Sequence, residues 1–278
     1  MLGVARTHSA LDRRLPSVLY SPAMKRGHYT LLSLGTIASI LLLWYAVTAL
    51  RLVKPFVLPS PGDLGREFLV LMAQGYAQKP LSEHVLSSLA RTLTGLGLGL
   101  AVGIPLGLVM GASRTVFAIL SPIFSFMRPI PPIAFIPLMI LYFGIGEFSK
   151  VFLIFMAALW YVVLNASAGV RAIPQDLLRA AQTLGLTRAQ IFQHVIFWAA
   201  LPQIMTGVKT ATAISWAIVV AAELIAAQAG LGFMVMDATT FFRVPDVYIG
   251  IIIIGLIGLM LEGITRALEV SLLHWQGR

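Results

Sequence analysis

The sequence predicts an all-α polytopic membrane protein of about six transmembrane helices, with a helical hairpin between the fourth and the fifth. Two observations carry that prediction. Of the 278 residues, 58% are hydrophobic and 11% charged, against about a quarter charged in an ordinary soluble chain. The few charges also leave long gaps. Charge-free windows cover 29–50, 92–113 and 151–170, each close to the roughly 20 apolar residues that cross a bilayer core. Windows 115–146 and 210–236 hold one charge each, Arg128 and Glu223, and 247–261 continues past Glu262 through apolar residues to Leu273.

Taken in order, residues 1–28 are a basic tail carrying Arg6, Arg13, Arg14, Lys25 and Arg26. The run 29–50 exceeds the apolar core of a signal peptide and has no small-residue cleavage site after it, so it reads as a retained first helix. Residues 51–84 read as an external loop and short helix, extended through the Pro-rich stretch 56–62, and 85–273 as one helical core. With the N-terminus inside and six alternating spans, twelve Lys and Arg fall on the inner side. Seven (Arg51, Lys54, Arg66, Lys79, Arg91, Lys150 and Arg243) fall on the outer side, and Arg128 is left within a span. The positive-inside rule therefore puts both termini in the cytoplasm. The net charge of +9 is thus a topology signal; nucleic-acid binding would need the basic residues gathered on one soluble face. The absence of cysteine excludes disulfides, a thiolate nucleophile and a zinc–thiolate centre.

The second span repeats glycine every fourth residue, at Gly95, Gly99, Gly103, Gly107 and Gly111. Such a ridge lets helix backbones approach closely in lipid, and it predicts a packing face. The third window is too long for one straight span at about 1.5 Å per residue, and it is interrupted by Arg128-Pro129-Ile130-Pro131-Pro132. Prolines remove backbone donors and break a helix, and irregular backbone persists at membrane depth only when buried in protein or lining a wet cavity. Arg128 either caps the freed carbonyls or supplies positive potential along a path for an anionic solute. Glu223 lies about 24 Å along the fifth span from Gly207, toward the outer face, where structural pairing is the favoured reading and Arg128 is one possible partner. Arg128, Trp216 and Glu223 are the candidate translocation-path residues.

Between the fourth and fifth spans, residues 171–203 read as helix, glycine, helix. Pro174 suits a first turn and Asp176 complements the helix dipole there. Leu177, Leu178, Ala181 and Leu184 recur at helical spacing, and Gly185 supplies a left-handed cap. Thr187 and Gln190 form a capping box for a second short helix. Nothing in the chain supplies energy or covalent chemistry: it has no phosphate-binding Gly-x-x-x-x-Gly-Lys-Ser/Thr loop, no His-Glu-x-x-His and no Gly-x-Ser-x-Gly. The five histidines, at 8, 28, 84, 194 and 274, are scattered and read as surface or interfacial. Ser167 with His194 would be the pair for an intramembrane enzyme, an unfavoured alternative.

Arg179-Ala180-Ala181-x-x-x-Gly185, followed by Leu201-Pro202, resembles the Glu-Ala-Ala loop of type-1 ABC importer permeases. The stretch from Arg128 to Lys150, the run Ala221-Ala-Glu-Leu-Ile-Ala-Ala227 and Gly230-Leu-Gly-Phe-Met234 are similar to the taurine and sulfonate branch of the nitrate, sulfonate and bicarbonate permeases. The similarity covers nearly the whole chain from about residue 30. It departs from the pattern at Arg179, which replaces the leading glutamate, and in the displaced Leu201-Pro202. The resemblance implies a type-1 permease core at 85–273 whose segment 171–203 couples to an ATPase subunit through Arg179, Ala180, Ala181, Leu184 and Gly185. It further implies a second copy of the chain, an external solute-binding protein, a bacterial inner membrane and no cofactor. The implied solute is taurine or another sulfonate, with nitrate or bicarbonate as alternatives. An ion-coupled carrier or channel is the rival mechanism.

Overall fold

A computed structural model describes residues 26–275, with backbone alone for residues 26–30 and Ala226. The described residues fall into two compact units that divide at Pro61. In the first, helix α1 (Arg26–Ala49) has an almost wholly exposed apolar surface, as a lipid-facing helix requires. It ends where Arg51 turns at φ 55°, and the Trp44 indole N–H donates to Pro59 O at 3.1 Å, fastening the return of the chain.

The second unit is a helical bundle. Helix α2 (Pro61–Gln74) opens with Pro61 at its first position and Asp63 in its first turn. Helix α3 (Leu81–Ala112), α6 (Glu147–Arg171) and α9 (Phe197–Ala226) form the core, with α4 (Arg114–Met127) and α5 (Ile136–Phe143) packed on α6. Helices α10 (Leu231–Thr240) and α11 (Val244–Leu272) complete it. Among the described residues, five helices are long and apolar enough to cross a membrane, six if α4 and α5 are counted as one broken span. No strand occurs among the described residues.

The glycine ridge sets the tightest contact in the core. A Cβ placed on Gly95, Gly99, Gly107 or Gly111 would lie 2.6 Å from Ile154, Ala158, Ala166 or Val170, and one on Gly103 would lie 3.0 Å from Val162. Each glycine on α3 therefore faces one residue of a matching four-residue ladder on α6. The backbones meet because nothing intervenes, and dispersion over that length holds the pair.

The prolines divide the third window as expected. Helix α4 stops at Met127, a 3-10 turn runs Pro132–Phe135, and α5 leaves at 85° to α4. Phe135 packs edge-on against Trp160 at 5.8 Å, so the break is clamped to α6. Gly144, at φ 72°, ends α5.

Two expectations need correction. The second span does not begin at the charge-free window: α3 starts at Leu81, and Arg91, counted with the outer cations, is a buried residue inside it. The second hairpin helix is not separate either. It starts at Thr187 with both halves of the capping box formed, then runs as α8 (Arg188–Gln190) through a π-turn at Ile191–Ile196 straight into α9. The helix tolerates Pro202 in its second turn, and the wider π-turn lies immediately before it.

Candidate functional site

Near the C-terminal end of α9, Glu223 is 1% exposed and fully hydrogen-bonded. The Ser88 hydroxyl lies 2.8 and 2.9 Å from its two oxygens, Arg91 Nη1 donates at 2.5 Å, and the Gly232 N–H donates at 3.0 Å. The cation is there because α3 carries it on the same stripe as the glycines. Arg91 precedes Gly95 by one turn, and Ser88 lies three residues earlier on that face. Arg91 also donates to Ala229 O at 2.7 Å, and grips Glu147 with two parallel bonds, Nε at 2.5 Å and Nη2 at 2.7 Å. Lys150 reaches Glu147 at 3.2 Å. Two cations and two carboxylates thus tie α3, α6 and α9 together with no net charge. Such a cluster survives burial only because every member is paired.

The loop after α9 is shaped by this cluster. Gly230 sits at φ 127°, and a Cβ there would collide with the Glu223 carboxylate; one on Gly232 would collide with Val220 O. These two contacts account for the glycines of the Gly230-Leu-Gly232 signature. His84, read from the sequence as surface or interfacial, is completely buried under this turn. Its Nε2 donates to Tyr76 O at 3.1 Å, and its Nδ1 lies 3.2 Å from both the N–H and the O of Gly230. Tyr76 donates to Asp237 at 2.8 Å, and burial, reinforced by that carboxylate, raises its phenol well above the ordinary range. Beside Arg91 and Glu147 opens a cavity of about 490 Å³, lined also by Lys79, Glu83, Ser87, Thr94 and Gln228.

The other path candidates lie elsewhere. Arg128 is exposed at the break between α4 and α5, and its guanidinium has no ion pair or hydrogen bond among the described residues. It therefore does not pair with Glu223. Trp216 is buried, donates from Nε1 to Ile254 O at 3.0 Å, and borders a cavity of about 650 Å³ between α9 and α11. Ser167 is buried without a hydrogen-bond partner among the described residues, while His194 is exposed with Nδ1 against Gln190 O, so the pair has no catalytic geometry.

At the opposite end of α6 stands the hairpin. Helix α7 (Gln175–Thr183) closes with Leu186 N–H on Ala181 O at 3.3 Å and Gly185 N–H on Gln182 O at 2.9 Å, the two bonds of a Schellman cap, with Gly185 at φ 76°. Ala181 faces inward, whereas Arg179, Ala180 and Gly185 are exposed and Leu184 is 80% exposed. Arg179 pairs with Asp176 at 3.5 Å. At the root of the hairpin the Arg171 guanidinium lies over the Phe117 ring at 3.7 Å, joining α6 to α4.

Residues 103–273 match the family described as binding-protein-dependent transport system inner membrane component. The chain belongs to this family. It is a type-1 permease of the ABC importer class, a membrane-spanning component of the inner membrane. This permease is 43% identical over 247 residues to the taurine transport system permease protein TauC of Escherichia coli, covering 88% of this chain and 90% of that one. It is 31% identical to the nitrate import permease protein NrtB of Synechocystis, covering 91% and 90% respectively. A chain of the MetNI methionine ABC transporter, in an inward-facing conformation, shares the fold with a TM-score of 0.62 at 18% identity, over 69% of this chain and 95% of that one.

Proposed function

We propose that this permease forms, with a second copy of itself, the path by which taurine or another small sulfonate crosses into the cytoplasm, driven by a separate ATPase subunit and supplied by an external binding protein. The observation that carries the reading is the hairpin. Its exposed Leu184, Arg179 and Ala180 stand on a Schellman-capped turn, α6 runs to one side of it, and α9 continues from the other without a break. A push on that turn is delivered to two core helices at once, which is what a docked, ATP-driven subunit needs in order to tilt a bundle between two access states. The positive residues favour a cytoplasmic hairpin and cytoplasmic termini.

Within this reading, Arg179, Ala180, Leu184 and Gly185 form the coupling surface, and buried Ala181 packs the helix beneath it. Trp216 borders the solute path beside α11, exposed Arg128 contributes positive potential at the helix break, and Glu223 acts by holding the frame. Similarity to the taurine permease over nearly the full length of both chains supports a sulfonate; the nitrate relative is more distant.

The test is solute uptake by proteoliposomes containing the permease, its ATPase and the binding protein. Accumulation of taurine or methanesulfonate only with ATP is the expected result. Accumulation of nitrate or bicarbonate with no sulfonate overturns the solute, and uptake without the ATPase subunit establishes the ion-coupled or channel mechanism instead.

A further inference from the structure

Arg91 and Glu147 are unequal partners. The guanidinium is buried, yet one edge of it faces the cavity of about 490 Å³ beside α3 and α6. The carboxylate that occupies that edge belongs to a side chain 63% exposed. Glu223 holds the opposite edge from within the core. A buried guanidinium needs an anion at all times, but nothing requires that the outer one be Glu147. Its two bonds, Nε and Nη2 to two oxygens of one group, are the fork that Arg offers to any planar or tetrahedral oxyanion.

We propose that the cavity face of Arg91 is a solute site for a sulfonate head group, occupied in this conformation by the Glu147 carboxylate, which the arriving solute displaces. The exchange conserves pairing throughout. Two sulfonate oxygens take over the bonds to Nε and Nη2, and Glu147, already 63% exposed, turns from Arg91 while keeping its bond to buried Lys150. Glu223, with Ser88 and the Gly232 N–H behind it, fixes the guanidinium plane during the swap. Lys79 and Glu83 form an ion pair with one another at the cavity wall, and Glu83 turning from Lys79 would give the ammonium of a zwitterion such as taurine a counter-charge.

The assignment rests on the importer reading and deepens it by naming the solute head group and its partner. It is tested on the permease–ATPase complex in nanodiscs, without binding protein, by equilibrium binding of radiolabelled taurine. Glu147→Gln removes the competing carboxylate and is expected to tighten binding about tenfold, on the order of one charge-assisted contact. Adding Arg91→Lys to that variant is expected to lose the gain, because a point charge does not reproduce the fork. Methanesulfonate should compete for the site and uncharged dimethyl sulfone should not. Misfolding cannot produce a gain, so unchanged or weaker binding by an intact Glu147→Gln complex overturns the site, as does equal competition by dimethyl sulfone. If the complete assembly imports taurine while either result is found, this site fails and the sulfonate-importer reading stands; if the assembly imports no sulfonate, the site and the sulfonate assignment both fail.

Discussion

Glu223 on α9 and Arg91 on α3 meet at 2.5 Å although 132 residues separate them, and both are almost wholly buried. Their pairing ties the N-terminal part of α3 to the C-terminal part of α9. Each has different support once the other is gone. Without Glu223, Arg91 keeps the two bonds to Glu147 and one to Ala229 O. Without Arg91, Glu223 is left with a hydroxyl and one backbone N–H and no counter-charge.

Removing the cation is therefore expected to cost more than removing the anion. Arg91→Gln should destabilise the bundle by about 3–5 kcal/mol, the range for breaking a buried pair from one side, and Glu223→Gln by less, since the amide still accepts from Ser88 and Gly232. Thermal unfolding of the purified permease in detergent measures both. Equal losses would show that Arg91 does not shield the carboxylate.

Gly230 and Gly232 are predicted to differ in what rescues them. A methyl at Gly230 meets the Glu223 carboxylate, and one at Gly232 meets the backbone carbonyl of Val220. Glu223→Ala should recover part of the loss caused by Gly230→Ala, leaving the strain of a backbone region essentially reserved for glycine, about 1–3 kcal/mol. It should recover none of the loss caused by Gly232→Ala. A double-mutant cycle on melting temperature reads the difference, and equal coupling at both glycines would refute the contact.

Much of the architecture is legible in the sequence because it is local. The prolines after Arg128, the cap at Gly185 and the capping box at Thr187 each act within a turn, and the glycine ridge repeats on one helix. Arg91 escapes a reading by charge-free windows because such windows treat every charge as a boundary, whereas a charge paired inside the bundle belongs to the span. A signal was present: the ridge, stepped back from Gly95, runs through Arg91, Ser88 and His84. Their partners Glu223 and Gly230 lie on another helix and the loop after it, a long-range pairing that the period of one helix does not encode.

The ridge itself distinguishes faces of α3. A Cβ on Gly99 would sit 2.6 Å from that of Ala158, while one on Gly97 meets nothing within 4 Å. Gly99→Val should force α3 from α6 at a cost of about 1–3 kcal/mol, the usual range for overpacking, and lower the folded yield. Gly97→Val faces open space and should leave melting temperature and yield close to those of the parent. Comparable losses at the two positions would argue against the α3–α6 contact.

Gly185 separates conformation from packing at the hairpin. Its φ is 76°, and a Cβ there would touch nothing within 4 Å. Any effect of substitution must therefore arise from the backbone and not from a clash within this chain. Asn visits the left-handed region at modest cost and a β-branched residue does so poorly. Gly185→Asn is expected to preserve the Schellman cap and retain ATP-driven uptake. Gly185→Val is expected to unwind the cap, re-aim Leu184, and reduce uptake strongly while the transmembrane bundle, measured by melting temperature, changes by no more than about 1 kcal/mol equivalent. Co-purification of the ATPase subunit with the two variants locates the defect: loss of the subunit from Val but not from Asn places docking on the shape of this turn. Equal uptake by the two variants would mean that the left-handed cap is dispensable for coupling.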